Sequence, residues 1–392
     1  MPSGPASSRC SGSALEGRVT EAETPAPQGL PPWLHAPLQQ ALAQRAHARL
    51  IHGPEGVGQF ELALALAHHA LCEAVEVGEG GAQPCGRCPG CRLYAARQHP
   101  DLRLLLPAAL RAALAAAAEG DDEASDAEAD EGMGEGGARS TRARPSREIR
   151  VDEVRAAIAW TQTSASRGRG KLLVLHPAQA LNTVAANALL KTLEEPPAGV
   201  RLLLTCADPQ ALLPTLRSRC QRIALPLPPR AQALAWLRAR GLADAAVLLD
   251  AAGGRPDGAL ALHADGFDAA RWARLPRAVA AGDASVLAGC SVARTVDVLQ
   301  RLAHDLMCSA AGAPPRFFAA ASLPAAGSRA ALNDWAAALA RAARHAEHPW
   351  HAPLLVEALL AQARGCFAAA ATAGPGRAAA RARVGAATLA SR

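Results

Sequence analysis

The chain has 392 residues and a net charge of +6, and half of its residues are hydrophobic although only 3% are aromatic. This length predicts two or three domains, and the alanine-rich hydrophobic fraction predicts a helix-rich, soluble protein. Charged residues interrupt every apolar run, which argues against a membrane-spanning segment. The mild basicity permits contact with nucleic acid without requiring it.

The first segment, residues 1–29, is rich in Pro, Ser, Gly and Glu and lacks the apolar core of a secretory signal. This composition predicts a disordered extension. A helix is then expected from Trp33 to Ala48, followed by a first strand at Leu50–His52.

A glycine loop connects that strand to a helix expected at Glu61–Leu71. Its sequence is Gly53-Pro54-Glu55-Gly56-Val57-Gly58-Gln59-Phe60. A working phosphate-binding loop continues with Lys, which reaches the β/γ-phosphates, and then with Ser or Thr, which binds Mg²⁺. Gln59 and Phe60 occupy those two positions here, so the loop is degenerate. The pattern predicts a partner of an ATPase rather than an ATPase.

A cysteine module follows this helix. Its four cysteines are Cys72, Cys85, Cys88 and Cys91. Four thiolates at this spacing suit a closed, structural Zn²⁺ site, and the glycines and proline between them permit tight turns. Chance clustering of buried cysteines and an iron–sulfur cluster are the alternatives, although the sequence that follows a ferredoxin cluster is absent.

A second strand is expected at Asp101–Leu106, and an acidic segment at about 112–147 interrupts the domain. Nine acidic residues and no basic ones lie between Glu119 and Glu135. A charge block of this kind predicts a disordered insertion.

Strands and helices alternate after the insertion. The expected elements are a helix at Val151–Thr161, a strand at Lys171–Leu175, a helix at Leu181–Leu193 and a strand at Val200–Thr205. This alternation predicts a parallel sheet with helices on both faces. An ATPase of this class places Asp-Glu after the strand at 171–175, but this chain has His176-Pro177 and no carboxylate before Glu194. Two degenerate sites together argue against hydrolysis.

Arg219 lies in the segment Leu216–Cys220, after the last of these strands. An arginine at the edge of a domain can serve the ATP site of a neighbouring subunit. From the local sequence alone, the more common interpretation of Arg219 is a surface arginine in a solvated turn. Prolines at 226, 228 and 229 then mark a boundary, beyond which only helices are expected.

Two stretches, Asn187–Pro197 and Thr205–Cys220, resemble the delta-prime subunit family of the bacterial DNA polymerase III clamp loader. The resemblance implies an α/β plus all-α fold: an AAA+ type, RecA-like parallel sheet domain at 30–226 that carries the zinc module at 72–91. A small helical lid at 227–266, a helical collar at 267–372 and a basic tail at 373–392 would follow.

The same resemblance implies roles for individual residues. Arg219 becomes a trans-acting arginine finger, which reverses the local reading. The four cysteines become ligands of a structural Zn²⁺. The glycines at 53, 56 and 58 keep the shape of the loop, and ATP is not expected to bind.

The implied function is that of a non-catalytic stator without ATPase or polymerase activity of its own, within the polymerase holoenzyme. Its partners would be the gamma/tau motor subunits and the delta subunit in a five-subunit ring, with the sliding clamp contacted indirectly and primed DNA held within the complex. The expected location is the cytoplasm, at the nucleoid-associated replisome, with no membrane contact.

Two other functions stay open. The chain could be an ATP-hydrolysing motor subunit with an unconventional loop, in which Lys171 or Lys191, the only lysines, supplies the charge. It could also be a zinc-dependent DNA-binding module, although the cysteine segment is too short to present a reading helix.

Overall fold

The computed structural model describes residues 29–78, 81–116, 146–325, 327–345 and 351–371. The predicted disorder of the extension (residues 1–28), of the acidic segment at 117–145 and of the tail therefore falls outside the described residues.

Seven strands form two sheets in the described part of the chain. They are β1 (Ala48–His52), β2 (Glu76–Gly78), β3 (Gly81–Gln83), β4 (Leu102–Leu105), β5 (Lys171–Leu175), β6 (Val200–Cys206) and β7 (Gln221–Ala224). The main sheet is parallel throughout, in the order β4-β5-β6-β1-β7. Strands β2 and β3 pair antiparallel as a separate hairpin within the cysteine module.

The central strands are apolar because both faces of the sheet are covered. All five residues of β5 are buried, and so are six of the seven residues of β6. Fully buried parallel strands have no solvent face and therefore read as continuous hydrophobic runs instead of alternating ones. The predicted strands at 171–175 and 200–205 are confirmed for this reason.

Fourteen α-helices accompany the strands in the described ranges. They are α1 (His35–Ala43), α2 (Gln59–Leu71), α3 (Pro89–Ala95), α4 (Ala108–Ala116), α5 (Val151–Thr161), α6 (Thr183–Glu194), α7 (Pro214–Ser218), α8 (Arg230–Ala239), α9 (Ala245–Ala251), α10 (Pro256–Ala264), α11 (Ala269–Ala281), α12 (Val292–Ala310), α13 (Arg329–Arg344) and α14 (Ala352–Ala371).

Two boundaries differ from the sequence-based expectation by more than two residues. The helix predicted from Trp33 to Ala48 is wrong in its second half, because α1 ends at Ala43 and Ala48 already belongs to β1. Residues 112–116, the start of the predicted acidic insertion, instead continue helix α4. Their alanine-rich sequence favours the helical state.

Local capping explains why α6 begins and ends where it does. The Asn182 side chain accepts a hydrogen bond of 2.9 Å from the backbone N–H of Ala185 and so caps the helix. The helix stops at Glu194, two residues before Pro196, because a residue that precedes proline is disfavoured in the helical conformation.

Two hydrophobic cores sandwich the main sheet. Helices α1 and α2 pack on one face, with residues such as Leu62 and Leu66 against Leu203. Helices α5, α6 and α7 pack on the opposite face, with residues such as Leu189 against Leu202. The predicted α/β class with a parallel sheet is confirmed.

From Arg230 onward the described chain is helical, as predicted. One continuous core joins residues from Ala233 to Cys366, with Trp335 and Phe267 among its largest fully buried side chains. The division of this region at residue 266 into lid and collar stays a prediction. None of the described helices is long and apolar enough to cross a membrane.

Candidate functional site

The glycine loop follows the carboxyl end of β1 and leads into α2, as predicted. A Cβ atom at Gly53 would lie 2.1 Å from the carbonyl oxygen of Leu225, which is closer than backbone atoms allow. Gly58 has a φ of 101°, and a Cβ there would lie 2.6 Å from Leu34 Cδ1. Gly53 is therefore required by close packing, and Gly58 by close packing and by its backbone conformation, whether or not a nucleotide binds.

Gln59 folds back onto the loop that it follows. Its side-chain amide donates to the carbonyl oxygens of Gly53, at 2.6 Å, and of Pro54, at 2.7 Å. The side chain is buried, with 7% of its surface exposed. Both amide hydrogens are thus used inside the loop, and this position has no positive charge to offer a phosphate.

Phe60 stacks on His176, with ring centroids 4.5 Å apart and an interplanar angle of 22°. His176 directly follows β5, so the two positions that depart from the ATPase pattern are in contact. His176 Nδ1 lies 2.6 Å from Thr205 Oγ1, and burial lowers the pKa of the imidazole to about 4. A neutral aromatic stack therefore stands where a hydroxyl and a carboxylate would hold Mg²⁺.

Neither lysine lies near this loop. Lys171 begins β5 at the opposite edge of the sheet, and its ammonium donates to the carbonyl oxygen of Trp160 at 2.7 Å. The same group lies 4.6 Å from the centre of the Trp160 ring. Lys191 is exposed on α6, on the face away from α2.

The loop also contacts the helices that follow the sheet. Trp33 donates its indole N–H to the carbonyl oxygen of Val57 at 2.8 Å, and its ring meets that of Trp236 at 5.3 Å. The backbone N–H of Asp257, in the first turn of α10, lies 3.4 Å from the carbonyl oxygen of Gly56. These contacts within the protein join the glycine loop to the helical region that follows the sheet.

Two carboxylates face a cavity of about 200 Å³ at this junction. Burial and the neighbouring Glu61 carboxylate raise the pKa of Asp257 to about 7, although Arg240 acts in the opposite direction. Surrounding protein also raises the pKa of Glu61. Arg240 also lines this cavity, so acidic and basic groups meet at the junction.

The four predicted metal ligands come together. The sulfur atoms of Cys72, Cys85, Cys88 and Cys91 all lie within 4.8 Å of one another, and those of Cys72 and Cys85 are 3.7 Å apart. Tetrahedral Zn²⁺ with Zn–S bonds of about 2.3 Å separates its sulfurs by about 3.8 Å. The donor set and its spacing therefore fit a structural Zn²⁺.

Backbone N–H groups support these thiols. Cys85 N–H donates to the Cys72 sulfur at 3.3 Å, and Cys91 N–H donates to the Cys88 sulfur at 3.3 Å. Burial opposes ionisation of Cys88, but the N–H groups of Glu73 and Cys91 outweigh it and bring the pKa of its thiol to about 6. A low thiol pKa favours the thiolate that a metal requires, whereas burial and the hydrogen bonds with Cys88 and Cys72 raise the pKa of the Cys91 thiol.

Two residues outside the cysteine pattern complete the module. His68 Nε2, on α2, lies 3.3 Å from the Cys91 sulfur, and its ring stacks on Tyr94 at 4.2 Å. The Tyr94 hydroxyl donates to the carbonyl oxygen of Leu64 at 2.9 Å. Sequence reasoning missed His68, and its only signal is that one helical turn separates it from Cys72.

Arg219 lies beside the amino-terminal edge of the main sheet, at the end of α7. Its guanidinium pairs with the Glu194 carboxylate and donates to the carbonyl oxygen of Thr215 at 2.7 Å. About a third of its side chain is exposed. The predicted finger position is therefore solvent-accessible and held by a single carboxylate.

A family model described as "DNA polymerase III, delta subunit" matches residues 34–229. The chain is 38% identical over 242 residues to DNA polymerase III subunit delta' of Pseudomonas aeruginosa, covering 59% of this chain and 62% of that protein. It is 33% identical over 239 residues to the subunit of the same name in Escherichia coli K12, covering 59% and 60%.

A weaker match is the tau subunit of Salmonella typhimurium, at 31% identity over 185 residues, which cover 47% of this chain and 22% of that protein. The matched region spans less than two thirds of each of these relatives. Among solved structures, a DNA polymerase III gamma-subunit-related protein of Thermotoga maritima aligns with a TM-score of 0.44 and 14% identity, over 85% of this chain and 99% of its own.

Proposed function

Because the chain belongs to the DNA polymerase III delta subunit family, we propose that it is a non-catalytic stator of the clamp loader. In this role it supports ATP-dependent loading of the sliding clamp onto primed DNA. It has no ATPase or polymerase activity of its own and contributes to polymerase activity only as a member of the holoenzyme.

The closed glycine loop is the observation that carries this proposal. Gln59 satisfies the loop's own carbonyl groups, while Phe60 and His176 fill the metal position with an aromatic stack. Phosphoryl transfer depends on cations placed around the β- and γ-phosphates. This loop has no lysine at position 59 and no hydroxyl at position 60 to hold Mg²⁺, which supports the absence of hydrolysis by this subunit.

Arg219 acts in this proposal as a finger on a neighbouring subunit, which its partly exposed guanidinium at the end of α7 supports. Its exposed ion pair with Glu194 contributes only about 0–1 kcal/mol, as is typical of such pairs. A γ-phosphate on an adjacent motor subunit can therefore draw the guanidinium away from Glu194 at little cost. The positive charge would then offset the charge that develops during hydrolysis.

The partners in this proposal are gamma/tau motor subunits and a delta subunit in a five-subunit ring. Helices from Ala269 to Ala371 form the collar that holds the ring. Structural Zn²⁺ on the four cysteines fixes the module beside α2, and the complex acts on DNA in the cytoplasm.

Nucleotide binding by the isolated chain is the first test. We expect no detectable binding of Mg-ATP in calorimetry up to millimolar concentration, and no turnover. Tight binding and turnover by the isolated chain would instead establish the motor with an unconventional loop.

The second test concerns Arg219 in the reconstituted ring. Arg219→Ala should leave assembly intact and lower turnover at the adjacent ATP site by about 10³-fold or more, the usual effect of losing an arginine finger. Arg217→Ala is the matched control, because Arg217 lies on the same short helix and donates to the carbonyl oxygen of Pro209. Equal turnover of both variants at every site would refute the assignment.

A further inference from the structure

Three arginines lie together near the amino-terminal edge of the main sheet, and they are here called the arginine cluster: Arg49, Arg169 and Arg201. Arg49 is in β1 and Arg201 is in β6, the neighbouring strand. Arg49 pairs in register with Leu203, so Arg201, two residues earlier, points to the same face of the sheet. That face is the one covered by α1 and α2.

The loop before β5 holds Arg169 beside Arg201. Gly168 and Gly170 flank it with φ values of 69° and 87°, conformations that suit glycine. A Cβ at Gly170 would lie 2.2 Å from the carbonyl oxygen of Gly199, so the backbones of the two segments are in close contact. Arg201 donates to the carbonyl oxygen of Arg169 at 3.3 Å.

No carboxylate in the described part of the chain pairs with any member of the cluster. Arg49 is only 7% exposed and donates to the carbonyl oxygens of Ala41 and Gln44, yet its buried Nε has no partner. Burial and Arg201 lower the pKa of Arg49, and burial and Arg169 lower the pKa of Arg201. Like charges held together without a counter-charge are unfavourable unless an anion binds.

We propose that the arginine cluster is a binding site for a phosphate group of the DNA backbone. Arg169, which is exposed, and Arg201, which is half-buried, provide the N–H donors, and guanidinium groups match the geometry of a phosphate. Arg49 adds positive charge from beneath. None of the three stacks on an aromatic ring in the described structure, so the site recognises phosphate without reading bases.

The proposal rests on the proposed function only for the source of the phosphate, since a clamp loader must hold primed DNA of any sequence. A contact with the backbone alone is independent of sequence. The site also lies apart from Arg219, which packs on the opposite face of the sheet with α6 and α7. Each site can therefore fail its test without affecting the other.

Inorganic phosphate is the first probe, applied to the full chain at matched ionic strength against chloride. Phosphate at ten times its dissociation constant should raise the Tm by about 3 °C in the native chain. The rise should be absent in Arg169→Gln, a substitution on an exposed loop, and in Arg201→Gln. It should persist in Arg222→Gln, an exposed arginine of β7 on the other face of the sheet. An equal rise in Tm in all variants would show that phosphate does not bind at the arginine cluster.

Fluorescence anisotropy with a labelled primed DNA then tests whether the bound phosphate group belongs to DNA. Arg201→Gln should weaken binding and reduce the slope of log K against log salt by about 1, because one phosphate contact is lost. An unchanged slope would overturn the proposal. So would stronger competition by ATP than by DNA, which identifies a nucleotide as the source, or binding of poly-glutamate in preference to DNA, which identifies an acidic protein.

Discussion

The two edges of the main sheet differ in how their polar groups are used. At the carboxyl-terminal edge, the amide of Gln59 and the rings of Phe60 and His176 are engaged with one another or with the backbone. At the amino-terminal edge, Arg219 is held by one exposed carboxylate and the arginine cluster by none. The edge that serves nucleotide in an ATPase is closed here, whereas the opposite edge carries positive charge that is only partly paired within the described residues.

This difference shows how contacts within the protein can hold the shape of a glycine loop that lacks the usual lysine and hydroxyl. The glycines at 53 and 58 are fixed by contacts with Leu225 and Leu34, so the loop retains its path without a nucleotide. At the amino-terminal edge, Arg49, Arg201 and Arg219 donate to backbone carbonyl groups, and of these Arg219 alone pairs with a carboxylate of the described residues. The following predictions test that contrast.

The largest effect is expected at the metal module, where loss of one ligand should release the metal. Cys85→Ser should abolish stoichiometric Zn²⁺ binding and destabilise the module by several kcal/mol, on the order of 3–5, since structural zinc contributes directly to folding. Metal content and thermal unfolding measure both effects. Cys308→Ser, far from the module, should change neither. If Cys85→Ser also opened the glycine loop to nucleotide, the closed edge would depend on the metal rather than on its own side chains.

A smaller effect is expected when the aromatic stack is removed. Phe60→Ala should lower the free energy of unfolding by about 2 kcal/mol, because a partly buried ring and its stacking are lost. Urea denaturation measures the change. Phe60→Leu, which keeps most of the volume, should lose about half as much. If Phe60→Ala left the free energy of unfolding unchanged, the aromatic stack would not be what holds this edge closed.

A pH dependence is expected from Asp257 at the loop junction. Its pKa is about 7 in the folded protein against an ordinary value of 3.8. Between these values the folded state keeps a proton that the unfolded chain has lost, so stability falls as the pH rises from about 4 to 7. Solvent screening of this partly exposed group limits the fall to the order of 1 kcal/mol. In Tm measurements at pH 5 and 8, Asp257→Asn should abolish this loss of stability with rising pH. The control Asp152→Asn, at an exposed position, should leave the loss unchanged.

His176 contributes a pH dependence of stability with the opposite sign, and its effect must be distinguished from that of Asp257. Its pKa is lowered to about 4, so the folded state binds fewer protons than the unfolded chain between about pH 4 and 6.5. The corresponding stability is present at higher pH and is lost as the pH falls. If the Tm of the native chain and that of Asp257→Asn changed with pH in the same way, the Asp257 carboxyl group would not be protonated as inferred.

The smallest effect is expected at the Arg219 ion pair. Glu194→Gln should change the free energy of unfolding by less than about 0.5 kcal/mol, because exposed ion pairs contribute little. In the assembled ring it should leave ATP turnover intact, since Arg219 remains present. A large destabilisation would show that Arg219 is a structural residue, and the contrast between the two edges would fail.

Sequence reasoning predicted the parts of the fold that depend on long apolar runs and on strong local signals. Strands β5 and β6 are continuous hydrophobic runs, and α6 ends before a proline pair; its asparagine cap was not recognised, so the helix was predicted to begin at Leu181 and not at Thr183. Strand β7 was missed because Gln221–Ala224 carries a polar, partly exposed sequence that becomes a strand only by pairing with β1. The hairpin of β2 and β3 was missed because its residues form a strand pair only within the cysteine module.

The cysteine cluster was predictable because metal ligands follow a fixed spacing, and the fold brings the four sulfurs within 4.8 Å of one another. The internal partners of the loop were not predictable. The sequence predicts that Gln59 and Phe60 cannot serve ATP, but not that they contact Gly53 and His176. The arginine cluster was also missed, because its members are 32 or more residues apart in sequence and meet only through sheet pairing.

The closed loop also restricts the evolutionary routes open to this chain. Restoring a lysine at position 59 would remove the amide that satisfies Gly53 and Pro54, and restoring a hydroxyl at position 60 would leave His176 without its stacking partner. Each change alone is expected to destabilise the loop, and neither supplies the carboxylate that is missing after β5. Several changes would therefore be needed together to build a nucleotide site here, because each single step costs stability before it brings a benefit.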